Sequence, residues 1–288
     1  MANKTLFIIL TFILFHSFNV YATNLVVAGF ALSGDYENNP ENYKYTSKLL
    51  EQEFTVDGQS VFNQSLKNLI STRNLDHEFI FNLDDQSSKQ AIAFTIAREN
   101  LNIEQTSEGF YRAKIRTLGQ IIIFDNSSQK IDALYSFPIN LIRIYDKKPS
   151  ENDIYSLFFE FYFGDESFKI KEVDDKGTNE CNENLKFINY FDYLVSQIPC
   201  IDLKEKYSQR VRVKKIILSE KVSQFLKSVN YSDKAFRQEV GITVTSMLST
   251  ELKMPILPFS EGQDIYKIRT RFADRTVLNL RVPESDFD

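Results

Sequence analysis

The apolar positions along this chain change period several times, and each change marks an element. Leu25 to Leu32 is a short, almost wholly apolar run followed by a polar, turn-rich stretch from Gly34 to Asn42. The run predicts a buried strand and the stretch a loop. Val61, Phe62, Leu66, Leu69 and Ile70 then recur at helical spacing. Period two takes over at Ile92, Phe94 and Ile96, and again where Tyr111, Ala113, Ile115 and Thr117 interleave with Arg112, Lys114 and Arg116. That alternation is how a half-buried strand reads, and it is expected to run to Phe124. The cluster Asp125-Asn126-Ser127-Ser128 predicts a turn and Ile131 to Ile144 a second long strand, so this region reads as an antiparallel meander. Pro138 cannot donate to a ladder, which puts it on an edge or at a bulge.

Residues 171 to 185 are polar and nearly free of large apolar groups. They mark the expected division between an acidic region, 23–175, and a basic one, 176–288. Beyond it, Phe187, Tyr190, Phe191, Leu194, Val195 and Ile198 predict a helix over 186–197, ended by Pro199. Val211, Val213 and Ile216 to Leu218 read as a strand. Ser219 is placed to cap a helix carrying Val222, Phe225, Leu226 and Val229. A longer helix follows, capped by Ser232 or Asp233, with Phe236, Val240, Val244, Met247, Leu248 and Leu252 as its expected core stripe. Ile265 to Phe272 and Thr276 to Val282 are expected to pair across Ala273-Asp274. The fold class is therefore α+β, with an antiparallel meander in the N-terminal half and mixed helices and strands in the C-terminal half.

The first residues follow a different logic. One charge at Lys4, an apolar run from Leu6 to Phe15 broken only by Thr11, and the small or β-branched pattern Val20-Tyr21-Ala22 have the form of a secretory signal peptide over 1–22, cut after Ala22. The run is about half of the roughly 20 apolar residues that a membrane-spanning helix needs, so the mature chain is expected to lack one and to be periplasmic or secreted. An oxidising compartment favours pairing the two cysteines, Cys181 and Cys200. A helix of about 17 Å lies between them, and the flanking residues must fold back along it to bring the Cα atoms within about 7 Å.

Charge sharpens the picture. Residues 203–281 hold 16 Lys and Arg against 8 Asp and Glu, whereas 23–202 hold 17 against 28. Within the basic part, Arg210, Arg212 and Lys214, then Lys267, Arg269 and Arg271, fall at alternate positions, which puts each trio on one face of its strand. Such a face attracts anionic envelope polymers, lipid head groups or another envelope protein, or it is a solvated face meeting the acidic half of the same molecule. Nucleic acid is not an expected partner, and no cofactor is expected. His77 is the one histidine after signal cleavage, and one histidine with two separated cysteines misses every familiar zinc spacing. Asp84-Asp85 and Asp174-Asp175 are the candidates for paired carboxylate chemistry, which needs a particular separation in space. The sequence therefore reads as an exported binding or assembly module, with a carboxylate-dependent hydrolase of envelope glycans as the alternative.

Overall fold

Leu25–Ser33 forms β1, and all nine of its residues are buried because it has neighbours on both edges and layers on both faces. The computed structural model that places it describes residues 24–34, 36–37, 40–52, 58–75, 77–81, 89–164, 189–201, 211–252, 254–257, 259 and 267–284. The expected signal segment, Arg210, Cys181 and both acid pairs lie outside these residues. From β1 the chain passes through helices α1 (Lys44–Gln52) and α2 (Val61–Thr72) and the short strand β2 (Phe79–Ile80) to β3 (Gln90–Gln105). A connection that contains helices can bring the chain back in the same direction, and β1 pairs parallel with both β2 and β3.

The predicted meander follows. β3, β4 (Tyr111–Asp125) and β5 (Ile131–Tyr145) pair antiparallel along almost their whole lengths. Pro138 lies in β5, at one end of the strand order, where its missing donor costs no ladder bond. A register shift between Ile96 and Arg98 lets the outer half of β3 work. Up to Ile96 the even residues face the helices. Beyond the bulge the odd ones do, so Glu99, Leu101 and Ile103 turn inward and Arg98, Asn100, Asn102 and Glu104 turn out.

Helix α3 (Glu151–Phe163), which the periodicity did not predict, is apolar around most of its circumference. It opens with a capping box between Ser150 and Asp153. Its aromatic rings meet those of α2, β1 and α4 (Tyr190–Ser196): Phe30 stacks on Phe62 at 4.8 Å between centroids, and Tyr162 lies edge-on to Tyr190 at 5.0 Å. These four helices cover the outer face of the sheet and hold the larger core. The predicted helix over 186–197 begins at Tyr190 among the described residues and passes into a 3-10 turn over Ile198–Cys200.

The basic region departs further from expectation. The strand read over 211–218 is only β6 (Val211–Arg212), because the residues after it leave the ladder. β6 pairs parallel with β7 (Ile256–Leu257). Between them lie α5 (Glu220–Ser228), capped by Ser219 as expected, and α6 (Asp233–Leu252). The stripe expected to bury α6 does so only in part: Phe236, Val240, Val244 and Leu248 are half-buried, but Met247 is 56% exposed and Leu252 58%. The fully buried side is Gly241, Thr245, Ser246 and Ser249, small residues that let the helix approach the edge of β5 closely. Ser136 N–H donates to Ser249 Oγ (3.2 Å) and Thr250 Oγ1 donates to the Ser136 carbonyl (3.3 Å), so hydroxyls satisfy backbone groups that an edge strand leaves open.

Strands β8 (Lys267–Phe272) and β9 (Val277–Arg281) form the expected hairpin. They do not form a sheet of their own: β8 pairs antiparallel with the end of β1, giving the order β5-β4-β3-β1-β8-β9. Strands from both sides of the expected division thus share one mixed sheet. Its two ends meet, since Arg281 N–H donates to the Gln129 carbonyl (2.7 Å) and Lys130 bridges to Arg281. The sheet is rolled, and its inner face is lined by Ala28, Ala31, Ala91 and Ala93 opposite Ile131, Leu134, Ile268 and Leu280. Next along the inner face comes a buried polar row. Thr95 Oγ1 donates to Ser33 Oγ (3.0 Å), Ser33 Oγ to Gln120 Oε1 (2.9 Å), and Gln120 Nε2 to Ser136 Oγ (3.1 Å).

Candidate functional site

The structure separates the two basic trios. Lys267, Arg269 and Arg271 do share one face of β8, with Ile268, Thr270 and Phe272 buried on the other. That face looks toward acids of the N-terminal half: Arg269 Nη1 lies 2.9 Å from Glu37 Oε2, and Arg271 Nη2 3.4 Å from Glu51 Oε1 at the end of α1. Two of its three cations are thereby neutralised locally, although both pairs are open to solvent and worth little in stability. Arg212 sits in β6 and Lys214 in the irregular chain after it, in a different sheet from β8. Among the described residues, no shared strand face joins Arg212 and Lys214 to Lys267, Arg269 and Arg271.

A different cationic surface emerges around α5. Residues 211–237 carry seven Lys and Arg, namely Arg212, Lys214, Lys215, Lys221, Lys227, Lys234 and Arg237, against the acids Glu220 and Asp233. Lys215, Lys221 and Lys227 are exposed and have no ion-pair partner among the described residues. Large apolar side chains stand among them: Ile217 is 82% exposed, Phe225 63% and Val229 54%. Leu226 is the one side chain of α5 that is fully buried, so the helix is attached by a narrow face. Lys221, Phe225 and Val229 recur at intervals of four and line up along one exposed flank of the helix, beside the face that Leu226 buries. Helical spacing sets Phe225 and Val229 on a stripe with Val222 and Leu226, and it does not record which side of that stripe the protein covers.

Glu99 is the outstanding buried carboxylate, 4% exposed, and the sequence reading passed over it because only the Ala97 bulge turns it inward. It accepts from the backbone amides of Tyr45 (2.6 Å) and Thr46 (3.0 Å) in the first turn of α1 and from Thr46 Oγ1. Thr46 Oγ1 is in turn 2.6 Å from the Tyr162 hydroxyl. Burial pushes the Glu99 carboxyl up to about 7, against the opposing pull of those three hydrogen bonds. Its partners are helix amides and hydroxyls, so it serves as the anion at a helix N-terminus. Asp192 is also buried and pairs with Arg73, tying α4 to the end of α2. His77 lies edge-on to Phe79 at 6.4 Å. Among the described residues no group of three or more His, Cys, Asp or Glu is placed to hold a metal ion. No described helix is long and apolar enough to cross a membrane. No family model matches the sequence, and no curated protein matches it either.

Proposed function

We propose that this chain is an exported binding module that engages anionic groups of a cell envelope through the cationic surface around α5. The observation that carries this reading is the unneutralised trio Lys215, Lys221 and Lys227 within a segment of strong positive excess. The β8 face, by contrast, meets its counter-charges inside the molecule. Export rests on the charged start, apolar run and small-residue cut site of residues 1–22. The Cys181–Cys200 bridge belongs to the same reading. What supports it is that no free cysteine occurs among the described residues, Cys200 included.

Retention of the protein on immobilised dextran sulfate across a salt series tests the binding surface. Exposed charges are screened over about 8 Å at physiological ionic strength, so affinity should fall steadily with salt. Charge reversal by K215E, K221E and K227E together should lower retention about tenfold or more at low salt. R269Q with R271Q should leave it close to wild type, because those arginines are already paired. Equal retention of the lysine variant and wild type would end the assignment to α5.

A further inference from the structure

The anionic-binding reading leaves open whether the ligand is a soluble polymer or a surface, and the apolar side chains beside the lysines bear on that. A dissolved polyanion needs only positioned charge, and it gives no reason for Ile217, Phe225 and Val229 to stand 54–82% exposed in the same segment. A bilayer has use for both kinds of group. Its head-group layer carries phosphates that attract Lys and Arg, and the boundary just beneath it is where an apolar helix face is covered.

The geometry of α5 fits a helix lying in that plane. Its nine residues are capped at Ser219, it is held to the protein through Leu226, and Phe225 and Val229 are on the exposed side one turn apart. Lys221 precedes Phe225 by one turn on that side and Lys215 lies just before the helix, so cations accompany the apolar line, while Lys227 stands on the other side of the helix. Long lysine stems reach head-group phosphates while the shorter apolar side chains go deeper. We infer that α5 and the residues leading into it dock on the surface of an anionic lipid bilayer, Ile217, Phe225 and Val229 entering the interface while Lys215 and Lys221 meet lipid phosphates. This rests on the anionic-binding reading and adds the identity of the surface.

The chain contains no tryptophan, so Phe225→Trp installs a single reporter. In the form beginning at Thr23, which keeps every described residue, its emission should shift to the blue on adding phosphatidylcholine vesicles that contain phosphatidylglycerol, and much less with phosphatidylcholine alone. Ile217→Ser, Phe225→Ser and Val229→Ser combined should cut co-sedimentation with the anionic vesicles about tenfold or more while leaving retention on dextran sulfate and the thermal midpoint unchanged. Unshifted tryptophan emission, or co-sedimentation of the triple serine variant equal to wild type, would overturn the bilayer as ligand. Failure of the wild type to bind dextran sulfate tells against the anionic reading itself.

Discussion

Glu99 displays how strongly one position depends on its surroundings. In the sequence it is one acid in a run of polar and apolar residues; in the fold it is desolvated against α1 with three donors aimed at it. Its carboxyl titrates near 7 in the folded chain, above its ordinary value of 4.5. Between those two values the folded state holds more protons than the unfolded one, so this group makes the protein less stable as pH rises from about 4.5 to about 7, by about 3 kcal/mol across the window. Denaturant unfolding at a series of pH values should therefore give a falling stability over that range. Glu99→Gln keeps an acceptor for the α1 amides and has no proton to lose, so its profile should lack that descent. A Glu99→Gln profile parallel to wild type would assign the pH dependence to other groups.

Among the elements, the hairpins and the buried faces of α2 and α4 were legible, whereas α3, the Ala97 bulge and the buried side of α6 were not. Strand alternation is written locally, so β4, β5 and the β8–β9 pair could be read within a residue or two of their observed ends. α3 went unread although Ile154, Leu157, Phe158, Phe161 and Tyr162 bury one face at helical spacing and Asn152, Ser156 and Glu160 form the polar side, because Phe159 and Phe163 widen the apolar stripe and blur its period. The Ala97 bulge escaped because nothing local distinguishes a slipped register from a continuous one. α6 was read as a helix but with its most buried side missed, since that side holds glycine and hydroxyls that match a strand edge rather than a core. The same gap hid the candidate site: Lys215, Lys221 and Lys227 are plain in the sequence, and only tertiary pairing reveals that the β8 arginines have acids beside them.

Gly241 gives a direct check on that helix. A Cβ built there would lie 2.2 Å from the Phe259 ring, a buried side chain that packs flat against the glycine. Gly241→Val should cost about 1–3 kcal/mol in denaturant unfolding despite valine's better fit to an apolar stripe. Thr243→Val on the exposed side of the same helix should stay within about 0.5 kcal/mol. A tolerated valine at 241 would mean that α6 does not seat against Phe259.

At the scale of the whole molecule, the rolled sheet explains how one chain can be acidic in its first part and basic in its last without forming two separate bodies. β8 and β9 bring basic residues back against Glu37 and Glu51, and the roll closes on Gln129 and Lys130. The surplus cations then fall outside the roll, around α5. Removing residues 267–288 would strip a neighbour from Ala31, Leu32 and Ser33 and expose the inner face at Ile131 and Leu134. A chain ending at 266 should therefore lose cooperative thermal unfolding and bind a hydrophobic dye. Retention of a sharp transition would show the rest of the sheet to be self-sufficient.

The pairing of β1 with β8 also sets an order in time. Ala31 and Phe272 are neighbours in space yet more than two hundred residues apart along the chain. A contact of that span is among the slowest to form, because the whole intervening loop must close before it is rewarded. In a chain threaded through a membrane with its N-terminus leading, β1 emerges first and its last partner emerges almost at the end. If the chain is exported as we propose, and crosses while it is being made, the sheet closes on the far side once β8 and β9 have followed β1.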